Sequence, residues 1–271
     1  MARAPLEAFR HSFVQASDVR IHVVHSGEDG RQPMVLLHGI GMDWRVWQAV
    51  SRRLRPHFGL YLLDLRGHGS SEKPVRGYTL PHYAADVEDV LDSLGLSDVV
   101  LVGSSLGGMV AATAEAPADV VSRRVLVDPP LTGGPVRDPD TFRMILDLKH
   151  GPPGPLAEYL SALNPGIGRH LAGVMEEMWR EAADGVITEM LADSGGYFAI
   201  DGALRAIPSP TLLMAADPTM APALTPEGTG RALTLLPDAQ AVTVYGAGHA
   251  IHATRPAEFV QSILNFVALA A

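Results

Sequence analysis

The fold is decided by the stretch Val99-Val100-Leu101-Val102-Gly103-Ser104-Ser105-Leu106-Gly107-Gly108. Its aliphatic start predicts a buried strand over Val99–Val102, and the apolar residues that follow predict a helix over Leu106–Glu115. A strand that turns at once into a helix forces the residue at the turn, Ser105, to a positive φ. Gly103 and Gly107 remove the Cβ atoms that would clash there. The pattern therefore predicts a serine hydroxyl at a helix N-terminus, where the helix dipole and free N–H groups favour negative charge.

The same alternation of strand and helix continues on both sides of this stretch. The pattern predicts an α/β fold with a mainly parallel sheet, because strands joined through helices pair in parallel. Val19–Val24 alternates between apolar and polar residues, which predicts an antiparallel edge strand. The other predicted strands are Met34–Leu37, Leu60–Leu63, Val99–Val102, Val125–Val127, Thr211–Ala215 and Ala241–Tyr245.

The alternation is interrupted between Asp128 and Pro208. Proline and glycine pairs separate short helical patterns in this stretch, and no strand pattern is present. We predict a helical cap over residues 129–208, inserted into a hydrolase-like core made of residues 1–128 and 209–271. The helices predicted within it are Thr141–Lys149, Leu156–Leu163, His170–Ala183 and Thr188–Ala192.

Composition excludes several function classes. The chain has 271 residues and a net charge of −9, so we expect neither nucleic acid nor an anionic membrane as a partner. It contains no cysteine, which excludes disulfides and thiolate metal sites and suits the cytoplasm. No apolar run is long enough to cross a bilayer. His249 and His252 have no carboxylate or third histidine near them in sequence, so we expect no metal and no cofactor.

A serine nucleophile needs a base and a carboxylate that orients it. His249 lies just after the predicted strand Ala241–Tyr245, at the sheet edge that also carries Ser105. Two aspartates follow strands at that edge, and either satisfies the chain order serine, aspartate, histidine. We prefer Asp217, because its strand directly precedes the one that leads to His249, and we keep Asp128 as the alternative.

Two glycine loops lie beside the predicted site. The loop His38–Gly41 follows a buried strand, and its glycines let backbone N–H groups approach a substrate oxygen. We predict that the N–H group of Ile40 in this loop and that of Leu106 after Ser105 form an oxyanion hole. The loop 66–71 is expected to be structural, and so is His38.

Together these motifs resemble the α/β-hydrolase superfamily. The residues that carry the resemblance are 38–41, 64–71, 103–108, Asp217 and Gly248-His249. The resemblance implies a mostly parallel, mainly eight-stranded sheet with a cap over the site. It also implies Ser105 as nucleophile, His249 as general base and then acid, and Asp217 as the residue that orients His249.

A serine at the elbow favours acyl transfer. Epoxide hydrolases and haloalkane dehalogenases of the superfamily carry aspartate there, so ester, lactone or thioester hydrolysis is the predicted activity. Carbon–carbon bond hydrolases, cofactor-free perhydrolases or dioxygenases, and a non-catalytic receptor stay open as alternatives. We expect a small, apolar, ester-type substrate, and the predicted pocket residues are Trp44, Met144, Met175, Met178 and Trp179, with Met190, Tyr197 and Phe198 as further cap candidates.

Overall fold

The computed structural model describes residues 9–27, 30–131, 138–193 and 199–269. Eight strands form one sheet in the order β1-β2-β4-β3-β5-β6-β7-β8, and helices flank it, which confirms the predicted fold class. The strands are β1 (Arg10–Gln15), β2 (Arg20–His25), β3 (Pro33–Leu37), β4 (Gly59–Leu63), β5 (Val99–Ser104), β6 (Val121–Val127), β7 (Thr211–Ala216) and β8 (Ala239–Val244).

The antiparallel end of the sheet differs from the prediction. The strand predicted over Val19–Val24 is β2, which pairs antiparallel with β1 and with β4, so β1 is the edge strand. The sequence pattern missed β1 because only Val14 of its six residues is buried. A strand exposed on both faces lacks the apolar alternation that a pattern search detects.

The parallel strands β3, β5, β6 and β7 carry the core. Every residue of β5 and of β7 is buried, because helices cover both faces of a parallel sheet. The register pairs Ser104 with Val127 and Val127 with Met214, so these strands end at the same level. The residues that follow them are therefore brought together at one edge.

The helices agree with the predicted pattern, with shifted ends. They are α1 (Gln48–Leu54), α2 (Leu80–Ser93), α3 (Leu106–Thr113), α4 (Pro139–His150), α5 (Pro155–Leu163), α6 (Arg169–Glu181), α7 (Gly185–Ala192), α8 (Asp201–Ala206), α9 (Pro226–Leu235), α10 (Ile251–Thr254) and α11 (Pro256–Leu269). We call α4–α8, which lie between β6 and β7, the cap helices. The domain boundaries at 128 and 208 stay a prediction. Of the helices described, none is long and apolar enough to cross a membrane.

The turn from β5 into α3 has the strained backbone that the sequence predicts. Ser105 has φ +54° and ψ −116°, outside the regions that L-residues favour. A Cβ on Gly103 would overlap the carbonyl of Gly107, and one on Gly107 would overlap the carbonyl of Leu37. Both glycines are required because backbone fills the space that a side chain would need.

We predict that Gly107→Ala lowers the free energy of unfolding by about 3 kcal/mol or more, because the backbone of β3 cannot move aside. Gly173→Ala is the matched control, since Gly173 lies inside α6 and a Cβ there meets nothing within 4 Å. It should stabilise the protein by about 0.5–1 kcal/mol through helix propensity. Urea unfolding of both variants measures this, and equal effects would contradict the close-approach argument.

Candidate active site

The carboxyl ends of the parallel strands surround a cavity of about 460 Å³. Ser105 and His249 both line it, and so do Ile40 and Leu106. The structure therefore brings together four of the residues that the sequence singles out. Within the described structure no hydrogen bond joins the hydroxyl of Ser105 to His249, and such contacts often shorten only when substrate binds.

His249 forms a hydrogen bond with Asp128, in which its Nδ1 lies 2.7 Å from Oδ2. The Asp128 carboxylate is fully buried and also accepts hydrogen bonds from the N–H groups of Ala216, Ala223 and Leu224. A buried carboxylate with this many donors is compensated for the loss of water. This pairing fixes the ring of His249 and leaves its Nε2 as the nitrogen able to act on Ser105.

The preference for Asp217 over Asp128 is corrected by this geometry. Asp217 precedes the 3₁₀ turn Pro218–Met220, and its carboxylate accepts from the N–H and hydroxyl of Thr219 and from the N–H of Gly246. These donors, the Gly246 N–H first, hold the pKa of Asp217 below its ordinary value. The sequence Asp217-Pro218-Thr219 carried that signal, because an aspartate two residues before a threonine commonly caps its own turn.

The predicted oxyanion donors are the N–H groups of Ile40 and Leu106. Leu106 is the first residue of α3, so its N–H has no partner inside the helix. No hydrogen bond among the described residues uses either of these two N–H groups. The neighbouring Gly39 would place a Cβ 3.3 Å from that of Ser105, which shows how closely this loop approaches the serine.

Two buried histidines hold the loop 38–41 in place, in keeping with the structural role predicted for His38 and for the loop 66–71. His68 Nε2 accepts from the N–H of Gly41 at 3.0 Å, and His38 Nε2 accepts from the N–H of Leu65 at 2.9 Å. Burial lowers the pKa of His38, and burial with His38 nearby lowers the pKa of His68 to about 3. Both rings are therefore neutral, which leaves a lone pair free to accept.

Backbone strain is concentrated at the site. Among the described residues, four that are not glycine have a positive φ, and three of them, Ser105, Asp128 and Ala221, lie at this edge. Ala221 lines the cavity and follows the 3₁₀ turn after Asp217. Such strain persists only where the surroundings enforce it, and it is typical of functional sites.

The cavity wall is mostly apolar, and its polar members are Ser104, Ser105, Asp138, Thr141, Asn164, His249 and His252. The cap helices supply Met175 and Trp179, which were predicted pocket residues, and Met190, which was a further candidate. None of the described residues in the wall is a lysine or an arginine. The main apolar members of the wall are Ile40, Met42, Val46, Met109, Phe142, Ile145, Leu160, Leu163, Leu171, Met175, Trp179 and Met190.

Three predicted pocket residues lie elsewhere. Met144 is 46% exposed, and Met178 is buried among the cap helices without lining the cavity. Trp44 packs its ring against His11 and Phe9, at 5.5 and 6.4 Å between centroids. Helical spacing places a residue on a face of its helix but does not say which face meets the cavity. Tyr197 and Phe198 lie outside the described residues.

Trp179 connects the cap helices to the oxyanion loop. Its ring lies so close to Gly41 that a Cβ on that glycine would overlap it, and Gly41 has φ +72°. An alanine is therefore disfavoured at position 41 by both backbone and contact. The glycine spacing of the loop is explained by this contact as well as by the oxyanion hole.

His252, considered from the sequence as a metal ligand, lines the cavity. It lies in α10, is 6% exposed and packs against Trp47 at 4.6 Å between ring centroids. Burial, with the charge of His249, lowers its pKa to about 3. No cluster of three or more His, Asp or Glu side chains suited to a metal is present in the described part of the chain.

The sequence model of the alpha/beta hydrolase family matches residues 34–262. The chain belongs to this family. The 2-(acetamidomethylene)succinate hydrolase of Mesorhizobium japonicum is 25% identical over 273 residues, covering 95% of this chain and 96% of that protein. Epoxide hydrolase 4 of Mus musculus is 41% identical over 105 residues, but the match spans only 37% of this chain and 29% of that protein.

Solved hydrolase structures share the fold over nearly the whole chain. The esterase from Exiguobacterium antarcticum has a TM-score of 0.81 at 23% identity, covering 96% of this chain and 100% of its own. The carboxylesterase from Bacillus subtilis has a TM-score of 0.80 at 23% identity, covering 96% and 91%. At this level of identity the likeness shows a common alpha/beta-hydrolase fold.

Acidification should destabilise this hydrolase through His252. Its folded-state pKa lies below the ordinary value of 6.5, so only the unfolded chain takes up the proton as pH falls. The contribution of the neutral His252 to the free energy of unfolding is fully present above pH 6.5 and is lost progressively towards pH 3. His252→Phe should therefore reduce the slope of unfolding free energy against pH by about 1.4 kcal/mol per pH unit.

Urea unfolding between pH 4.5 and 6.5 measures this slope. His57→Gln is the control, because His57 is exposed and should leave the slope unchanged. An unaltered slope in His252→Phe would show that His252 is protonated in the folded state.

Proposed function

We propose that this alpha/beta hydrolase cleaves a carboxylic ester, or a related acyl bond of a lactone or thioester, through a covalent acyl-enzyme. The observation that carries the proposal is the buried contact of Asp128 with His249, at a cavity that also contains the strained Ser105. The serine supplies the nucleophile, the histidine supplies the base, and the buried carboxylate orients the base.

The proposed reaction begins with attack of Ser105 Oγ on the acyl carbon while His249 Nε2 takes the hydroxyl proton. Asp128 accepts from Nδ1–H and stabilises the imidazolium that forms. The N–H groups of Ile40 and Leu106 bind the oxygen of the tetrahedral intermediate. His249 then gives its proton to the leaving group, and a water repeats the sequence on the acyl-enzyme to release the acid.

The identity of the nucleophile supports acyl substrates over epoxides, in spite of the partial match to epoxide hydrolase 4. A serine oxygen that opened an epoxide would leave an ether on the enzyme, and water does not cleave an ether under these conditions. An acyl group on Ser105 is an ester, which the same base and oxyanion hole can hydrolyse. Ser105 can therefore turn over an acyl substrate, whereas an epoxide would leave the enzyme blocked as an ether.

The cavity supports an uncharged substrate. The relative from Mesorhizobium japonicum is named for a substituted succinate, which carries two carboxylates. The described wall here offers no lysine or arginine to bind them, and the exposed carboxylate of Asp138 lies at the rim. Together with the net charge of −9, this arrangement repels anions. A small, neutral, largely apolar ester fits better.

Ser105→Ala should abolish labelling by a fluorophosphonate and lower the kcat for p-nitrophenyl butanoate by about 10⁴-fold or more, because it removes the nucleophile of the proposed acyl-enzyme. Ser104→Ala is the control, since Ser104 lines the same cavity but ends β5. Full ester hydrolysis by Ser105→Ala would refute the acyl-enzyme. A wild type that neither labels nor cleaves esters would favour the carbon–carbon, oxygen-dependent or receptor alternatives.

Asp128→Asn should lower kcat by about 10²- to 10⁴-fold with little change in KM, because the amide cannot stabilise the His249 imidazolium. Asp217→Asn is the matched control, since it is the aspartate that follows the next strand. Its carboxylate faces Thr219 and Gly246, so kcat should stay within about threefold of the wild type. Steady-state kinetics on both variants decide the question, and a larger loss at Asp217 would restore it as the acid.

A further inference from the structure

Three buried ring nitrogens next to the cavity have no hydrogen-bond partner among the described residues. They are Trp47 Nε1, Trp179 Nε1 and His252 Nδ1. Buried polar groups in folded proteins are nearly always hydrogen-bonded, so each exception calls for an explanation. Of the three residues, His252 and Trp179 line the cavity.

Of these residues, His252 is the best suited to bind a ligand, because an imidazole can both donate and accept hydrogen bonds, whereas an indole N–H only donates. Its ring is held between Trp47, at 4.6 Å, and Phe259, at 6.2 Å between centroids, and forms part of the cavity wall. Its Nδ1 has no hydrogen-bond partner among the described residues. A phenylalanine would fill this position in an apolar wall without the cost of dehydrating an imidazole.

We propose that His252 is a specificity-determining residue that hydrogen-bonds a second, uncharged oxygen of the substrate, in addition to the acyl carbonyl. The proposal rests on the proposed function, because it concerns the substrate of the same site. His252 lies three residues after His249, and both line the cavity that contains Ser105, so a substrate bound at Ser105 shares this cavity with both histidines.

The surroundings of His252 determine which kind of substrate oxygen it can bind. Burial keeps His252 neutral, with a pKa of about 3, so the ring offers one N–H donor and no positive charge. The described wall has no cation to share a carboxylate, and Asp138 lies at the rim. The second oxygen is therefore that of an ether, a ketone or a hydroxyl group, and not that of an acid.

Matched ester pairs test this inference, because each pair exchanges one methylene group for an ether oxygen. The alcohol half is probed with n-butyl and 2-methoxyethyl hexanoate, and the acyl half with methyl hexanoate and methyl 4-methoxybutanoate. In the wild type, the kcat/KM of the ether ester should equal or exceed that of its alkyl partner in at least one pair. His252→Phe should lower that ratio by about tenfold or more, because a buried donor is replaced by carbon.

His252→Gln keeps a donor at this position and should restore the ratio to within about threefold of the wild type. Leu163→Met is the control, since it alters the same wall without a polar group. The readout is the ratio within each pair, because the absolute kcat/KM of His252→Phe also reflects the altered cavity wall. A ratio that is the same in wild type and His252→Phe for both pairs overturns the proposal, and shows His252 to be a packing residue.

The failure of the proposed function would be seen separately, as an absence of hydrolysis of all four esters by the wild type. In that case, binding of N-butylhexanamide and N-(2-methoxyethyl)hexanamide is compared by tryptophan fluorescence. A weaker affinity of His252→Phe for the methoxyethyl amide alone supports the role of His252. Equal losses, or none, overturn it.

Discussion

The carboxylate of Asp128 is the point on which the arrangement of the site depends. It lies at the end of β6, fully buried, and a buried charge is tolerated only when its oxygens are hydrogen-bonded. Its donors come from two other segments, the stretch from Ala216 to Leu224 after β7 and His249 after β8. The segments that follow β6, β7 and β8 thus meet at a single charge. Asp128 itself has a positive φ at this point.

A second set of contacts joins the loops on the other side of Ser105. The N–H of Gly107 donates to the carbonyl of His38, His38 accepts from Leu65, and His68 accepts from Gly41. The loops after β3, β4 and β5 therefore support one another through backbone groups and neutral imidazoles. The loops that carry the N–H groups of Ile40 and Leu106, which we propose as the oxyanion hole, are held by contacts that involve neither Ser105 Oγ nor His249.

The sequence predicted the features that depend on local backbone. The elbow at Ser105 is set by glycines within two residues, and the parallel sheet follows from the alternation of strands and helices. The choice between Asp128 and Asp217 could not be made in this way, because it depends on which carboxylate the loop after β7 encloses. The succession of strands along the chain suggested Asp217, whereas the contacts that enclose Asp128 join residues about 90 positions apart.

The residues of the cavity wall were also only partly predictable from the sequence. Met175 and Trp179 line it, but Met178 in the same helix is turned into the protein, and Met144 is exposed. The side of a helix that faces a ligand is set by the packing of its neighbours, which a single sequence does not reveal. The strand β1 was missed for the opposite reason, because most of its side chains are not buried.

The contact of Trp179 with Gly41 has a consequence for how such a protein can diverge. A flat ring from α6 occupies the space beside the oxyanion loop that any side chain at position 41 would need. A recombined chain that received its cap helices from another family member would have to inherit an aromatic residue at this point, or lose one wall of the loop. Residues 41 and 179 would therefore have to be exchanged together, although they lie 138 positions apart in the sequence.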